Sequence, residues 1–200
     1  MLFRSVALPG EKFDAHEFVP AAFAAGAVAA VVRADYAAPA AIADAPLIRV
    51  DDPLRVFQDL AAAYRSQFAL PLVAVTGSNG KTTTKEMVAA VVAQRWRTLK
   101  TEGNLNNRIG VAHTLFRLTP RYGAAVVEMG VDDMGQTARL CEIARPTLGL
   151  ITNIGPDHLE FFRTLDRSAE SKAELLDALP EDGAAILPAD RSEEHTSELQ

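Results

Sequence analysis

The stretch "VAVTGSNGKTTTKEM", residues 73–87, combines an apolar run, a glycine-rich turn and a Lys-Thr pair. This is the order strand, loop, helix that a phosphate-binding loop requires. The usual pattern G-x-x-x-x-G-K-[ST] places its first glycine six residues before the lysine. Val75 stands there, and the nearest glycine is Gly77, so this loop is two residues short. Gly77 and Gly80 permit the backbone angles of a tight anion nest. A helix beginning at Lys81 turns its positive end toward the same point. Lys81 is placed to reach the outer phosphates, and the Thr82 hydroxyl to ligate Mg2+. A glycine turn with an incidental Lys-Thr is the competing reading.

Working outward, the chain alternates regularly. "LVAVT", "RTLKT", "AAVVEMG", "LGLITNI" and "AAILPAD" read as strands. "KTTTKEMVAAVVAQ", "RIGVAHTLFRL", "GQTARLCEIA" and "DRSAESKAELLDAL" read as the helices between them. Apolar strands separated by helices predict right-handed crossovers and an α/β fold with a doubly wound, mostly parallel sheet. Ligands of such sheets bind beyond the carboxyl ends of the strands. Upstream, residues 1–68 read as a smaller α/β section. It holds a helix ending at Gly26, the strand that follows it, a second strand "APLIRV", and a helix after "DDP" with Asp52 as cap and Pro53 in its first turn. A boundary is expected near Leu70-Pro71, giving a second section over residues 69–190.

Composition narrows the function classes. The chain has 200 residues and a formal net charge of −6, so no broad basic surface invites nucleic acid. The single cysteine excludes an internal disulfide and fits a cytoplasmic protein. The longest apolar run, residues 19–32, is broken by Pro20 and Gly26 and is too short to cross a bilayer. Residues 191–200, "RSEEHTSELQ", break the alternation. They read as a disordered or non-native tail, and are similar to the translation of a sequencing-adapter fragment.

Chemistry collects after the strands. "EGNLNNRIG" offers Asn104, Asn106 and Asn107, either as helix and turn caps or as binders of a substrate phosphate or carboxylate. Glu128 ends a buried strand, where a carboxylate is costly unless paired or bound to metal. Its expected role is Mg2+ ligation or water positioning. His158, in "GPDHLEFF", reads equally as a structural or a functional histidine. Lys172 lies fourteen residues later, and by itself reads as a surface lysine.

Taken together, "TGSNGKTT", the glutamate after the third strand of the alternation, "TNIGPDHLEFF" and the lysine beyond that histidine resemble the Mur ligase family. These are ATP-dependent, ADP-forming amide ligases of peptidoglycan synthesis, and the shortened loop is the family's own form. "EGNLNNRIGVAHTLFRL", "VVEMG" and "CEIARP" are most similar to the branch that adds D-alanyl-D-alanine to a UDP-linked muramoyl peptide. The sister branches, adding a third residue or glutamate to folate, are alternatives, as is an ATP-binding module without ligase activity.

The resemblance implies roles. Gly77, Ser78, Asn79, Gly80, Lys81, Thr82 and Thr83 would hold ATP, with Asn153 on the nucleotide side. Thr82 and Glu128 would bind one Mg2+. His158 and a carbamylated Lys172 would bind a second. Lys81, His158 and Lys172 would thus carry the catalysis, while Asn104, Asn106 and Asn107 would face the UDP-peptide. A cytoplasmic monomer without membrane insertion is expected. Ala15 and Ala112 stand where relatives carry glycine and proline. The resemblance also implies a partial first domain and a central domain without its second half, so this chain alone is not expected to ligate.

Overall fold

The computed structural model describes residues 4–10, 13–155 and 164–189. His158 and the 191–200 tail lie outside them. The chain divides into two compact units, residues 1–60 and 61–200.

The first unit is a parallel three-stranded sheet in the order β1-β2-β3: Arg4–Val6, Ala29–Arg33 and Leu47–Val50. Strand β1 leaves no signal in the sequence, because it is only three residues long, below the length at which alternation can be read. Helix α1, Val19–Ala24, precedes Gly26, whose φ of +95° lets the chain turn into β2. The core gathers Ala7, Val19, Ala30, Val32 and Ile42. Buried His16 fastens it: Nε2 accepts from the Arg33 amide at 2.8 Å and Nδ1 meets Asp14 Oδ1 at 2.5 Å. Because Nε2 accepts, Nδ1 carries the proton and donates to Asp14. Helix α2, Pro53–Arg65, starts where expected, with Asp52 Oδ1 accepting from the Arg55 amide at 3.0 Å.

The second unit contains the five strands read from the alternation. They are β4 (Leu72–Thr76), β5 (Thr98–Lys100), β6 (Ala124–Glu128), β7 (Leu148–Ile151) and β8 (Ala184–Ile186). All neighbours are parallel, in the order β5-β6-β4-β7-β8. The crossovers use α3 (Lys81–Val92), α4 (Arg108–Leu115), α5 (Gln136–Ala144) and, before β8, α6 (Leu165–Asp177). From β4 to β5 the chain moves one way across the sheet; every later crossover moves the other way. Right-handed connections in opposite directions place their helices on opposite faces. Accordingly α3 packs on β4, β5 and β6, whereas α4 packs against α5, and α5 against α6. The sheet is doubly wound, and the direction of winding changes at β4. Strand β6 is buried throughout, as an interior parallel strand should be.

Buried Arg65 closes the far side of this unit. Its guanidinium donates to the carbonyls of Ala144 at 2.9 Å, Phe68 at 2.5 Å and Leu70 at 3.1 Å. Ala144 is the last residue of α5, and Arg145 follows it in the left-handed conformation, φ +50°. A cation there meets both the helix dipole and unpaired terminal carbonyls. Burial, and then the neighbouring Arg145 charge, hold the Arg65 pKa below its ordinary value.

Candidate functional site

The change of winding at β4 opens a crevice beyond its carboxyl end, where ligands of such sheets bind. The glycine loop sits there. Gly77 has φ +138°, and a Cβ on it would lie 2.0 Å from Thr152 Oγ1 and 3.0 Å from the Thr152 amide nitrogen. No side chain fits. Gly80 has φ +75° with open space around it, so backbone conformation alone calls for glycine at the start of α3.

The loop is stitched to the segment after β7. Ser78 Oγ donates to the Gly155 carbonyl at 3.0 Å and accepts from the Gly155 amide at 2.8 Å. The Ser78 amide donates to the Asn153 carbonyl at 3.1 Å, and the Asn79 amide to Asn153 Oδ1 at 2.8 Å. Thr152 Oγ1 donates to the Asn79 carbonyl at 2.6 Å. Ser78, Asn79 and Asn153 therefore build the cradle's wall by bonding one another. The ladder of α3 begins with the Thr84 amide on the Gly80 carbonyl, so the amides of Lys81 to Thr83 have no carbonyl one turn back, as at any helix start. Lys81 Nζ folds over the loop, donating to the carbonyls of Gly77 at 2.6 Å and Ser78 at 3.0 Å.

Glu128 meets this cradle from β6, because Val75 pairs in register with Glu128. It is 1% exposed. Oε1 accepts from Thr82 Oγ1 at 3.1 Å and from Asn106 Nδ2 at 2.9 Å. Oε2 is buried and has no hydrogen-bond partner among the described residues. The Glu128 amide donates to Thr101 Oγ1 at 3.0 Å.

The asparagines separate in role. Asn106 holds Glu128 and accepts from the Gly130 amide at 2.9 Å. Asn107 caps α4, accepting from the amides of Ile109 at 3.1 Å and Gly110 at 2.9 Å. Asn104 is exposed. Lys172, read from spacing alone as a surface lysine, is buried, and its Nζ donates to Ser168 Oγ at 2.6 Å. Glu174 on the same helix accepts from the amides of Gly135 at 2.7 Å and Ala138 at 2.9 Å, tying α6 to the start of α5. Sequence reasoning did not single out Lys85, which is fully buried one helical turn after Lys81. A lysine four residues past another in a helix carries no signal of burial.

The described residues hold no cluster of three or more His, Cys, Asp or Glu side chains fit for a metal. The fit of Mg2+ rests instead on a hydroxyl and a carboxylate. Thr82 Oγ1 and Glu128 Oε2, which has no hydrogen-bond partner among the described residues, are hard oxygen donors beside the start of α3. That suits a cation which keeps waters and shares its phosphate ligand. No helix among the described residues is long and apolar enough to cross a membrane.

The profile of the Mur ligase middle domain matches residues 75–200. The chain belongs to the Mur ligase family. It is 46% identical over 188 residues to the UDP-N-acetylmuramoyl-tripeptide–D-alanyl-D-alanine ligase of Escherichia coli K12, and 44% over 187 residues to that of Synechocystis. These alignments cover 94% of this chain and 40% and 41% of the relatives, so the chain spans well under half of their length. Among solved Mur ligases, MurF of Acinetobacter baumannii superposes with a TM-score of 0.87 at 36% identity, over 94% of this chain and 41% of that one. MurF of Thermotoga maritima, solved with ADP, gives 0.86 at 30% identity, over 99% and 45%.

Proposed function

We propose that this chain is the nucleotide-holding part of an ATP-dependent ligase that joins D-alanyl-D-alanine to a UDP-linked muramoyl tripeptide. The observation that carries the reading is the meeting of Thr82 with buried Glu128 at the mouth of the glycine loop. A phosphate cradle alone serves many functions. A cradle facing an unbonded buried carboxylate oxygen fits nucleotide chemistry assisted by a divalent cation. Relatives 44% and 46% identical to this chain are tripeptide–D-alanyl-D-alanine ligases, which supports these substrates.

In this reading the peptide carboxylate takes the γ-phosphoryl group of ATP, giving an acyl phosphate and ADP. The dipeptide amine then attacks the acyl carbon, an amide forms, and phosphate leaves with a proton lost from nitrogen. Such transfers depend on position and charge neutralisation rather than a protein nucleophile. Lys81 would exchange the carbonyls of Gly77 and Ser78 for phosphate oxygens. The amides of Lys81, Thr82 and Thr83 would hold the phosphate from the helix start. Mg2+, when bound, would neutralise phosphate charge between Thr82 and Glu128.

His158 and Lys172 are proposed holders of a second Mg2+. The buried Lys172 amine would add to carbon dioxide and lose a proton, becoming a carbamate oxygen donor. Asn104 is an exposed amide that the asparagine loop would offer the UDP-peptide. Asn106 and Asn107 would act there by shaping the loop. A cytoplasmic monomer suits small-molecule substrates of this kind.

Calorimetry of the chain with ADP and Mg2+ tests the nucleotide reading. Binding that Lys81→Ala weakens at least tenfold is the expected result, and no binding by the unmodified chain refutes it. In a protein extended to the relatives' length, phosphate release must depend on D-alanyl-D-alanine. Lys172→Ala must abolish it and a short carboxylic acid restore it; unchanged activity in that variant removes the carbamate.

A further inference from the structure

Among the described residues, the buried Lys85 ammonium makes three polar contacts. Nζ donates to the Thr101 carbonyl at 2.9 Å, lies 2.9 Å from Glu86 Oε1, and lies 3.9 Å from Glu128 Oε2. Glu86 in turn pairs with Lys100 at the edge of the sheet. Lys100, Glu86, Lys85 and Glu128 thus alternate in sign from the exposed edge to the buried carboxylate. The Glu86 carboxyl is drawn down to about 2, by Lys100 first and Lys85 second. Thr101 links the ends of the arrangement. Its carbonyl holds Lys85, and its hydroxyl accepts from the Glu128 amide at 3.0 Å.

The geometry divides the two oxygens of Glu128. Oε1 is bonded by Thr82 and Asn106. Oε2 has no hydrogen bond, and the Lys85 ammonium lies 3.9 Å from it. At that distance the ammonium attracts the carboxylate without saturating its lone pairs. A fully buried lysine carries a large desolvation cost, which opposite charges and a carbonyl offset. Its long stem crosses the interior from α3 to arrive beside Glu128.

We propose that Lys85 is a positioning residue for Glu128. It is a fixed counter-charge that sets the rotation of the carboxylate, keeping Oε1 on Thr82 and Asn106 and Oε2 free to take a divalent cation. Lys85 touches neither nucleotide nor cation in this arrangement and acts through Glu128. The inference rests on the proposed reading of Glu128 as a Mg2+ ligand. A purely structural ion pair would support folding and leave cation binding unchanged.

The test uses the full chain, with ADP as probe, titrated calorimetrically with and without Mg2+. The quantity read is the gain in ADP affinity that Mg2+ produces. Supporting groups behind a metal ligand typically change affinity 10- to 100-fold, so Lys85→Met should cut the gain about tenfold or more while leaving Mg2+-free ADP binding unchanged. In a Glu128→Gln background the same change should have no further effect on the gain. If circular dichroism shows that Lys85→Met does not fold, Glu86→Gln replaces it. That change removes one holder of the ammonium at the exposed edge and should lower the gain two- to threefold, on the order expected of an exposed partner. A wild-type gain in the folded variant overturns the inference and leaves the nucleotide site standing. An unmodified chain with no Mg2+ gain sinks both the inference and the Mg2+ reading of Glu128.

Discussion

Ser78 and Gly155 hold each other through both backbone groups of the glycine, the serine hydroxyl donating at 3.0 Å and accepting at 2.8 Å. One side chain therefore joins the loop after β4 to the loop after β7. Ser78→Ala leaves a buried amide and carbonyl without partners. The expected cost is about 1–3 kcal/mol, read from urea unfolding, together with weaker ADP binding. Full stability in the variant would show that water replaces the hydroxyl.

The two loop glycines should respond differently to alanine. At Gly80 the added methyl meets nothing within 4 Å, and only the positive φ is strained. Gly80→Ala should cost about 1–2 kcal/mol. At Gly77 the methyl collides with Thr152 and its backbone as well, so Gly77→Ala should be clearly worse. Trimming the threonine in a Gly77→Ala/Thr152→Ala double variant removes the 2.0 Å clash and leaves the 3.0 Å contact with the backbone nitrogen. Only partial recovery of the thermal midpoint is expected.

Arg65→Met keeps the stem and removes a guanidinium that satisfies carbonyls of Ala144, Phe68 and Leu70. A loss of about 2–4 kcal/mol is expected, in the range of broken buried networks. Chemical denaturation of the variant measures it. The effect should fall on stability, while ADP affinity in the folded variant stays close to that of the unmodified chain.

Cys141 is buried and lies 3.9 Å from Met129 Sδ. Burial, and then the Glu174 charge, push its thiol from 9.0 up to about 12. The folded chain therefore holds this proton between those values, while the unfolded chain releases it. The contribution to stability is complete below pH 9 and is lost as pH rises toward 12. Cys141→Ala should flatten the alkaline limb of the stability profile. At pH 8 the thiol should react with a disulfide reagent only at the rate of unfolding.

Much of this fold is legible in the sequence because interior parallel strands are apolar along their length. "LVAVT" and "AAVVE" announce β4 and β6 without help from the rest of the chain. Glu128 is legible for the same reason, as a charge at the end of such a run. Other features depend on contacts that sequence spacing does not report. Asn106 and Asn107 are adjacent and chemically identical, yet one holds Glu128 and the other caps α4. Lys85 resembles any helical lysine until β5 and β6 close over it. The short β1 is recognisable only once β2 lies beside it.

The bonds that join Ser78 and Asn79 to Asn153 and Gly155 bear on the entropy of capture. A glycine-rich loop free in solution would lose backbone freedom when an anion ordered it. Here that freedom is surrendered during folding, because the strand, the helix and the second loop confine the turn between them. Nucleotide should therefore meet a preorganised receptor, and its affinity should report direct contacts with little ordering penalty.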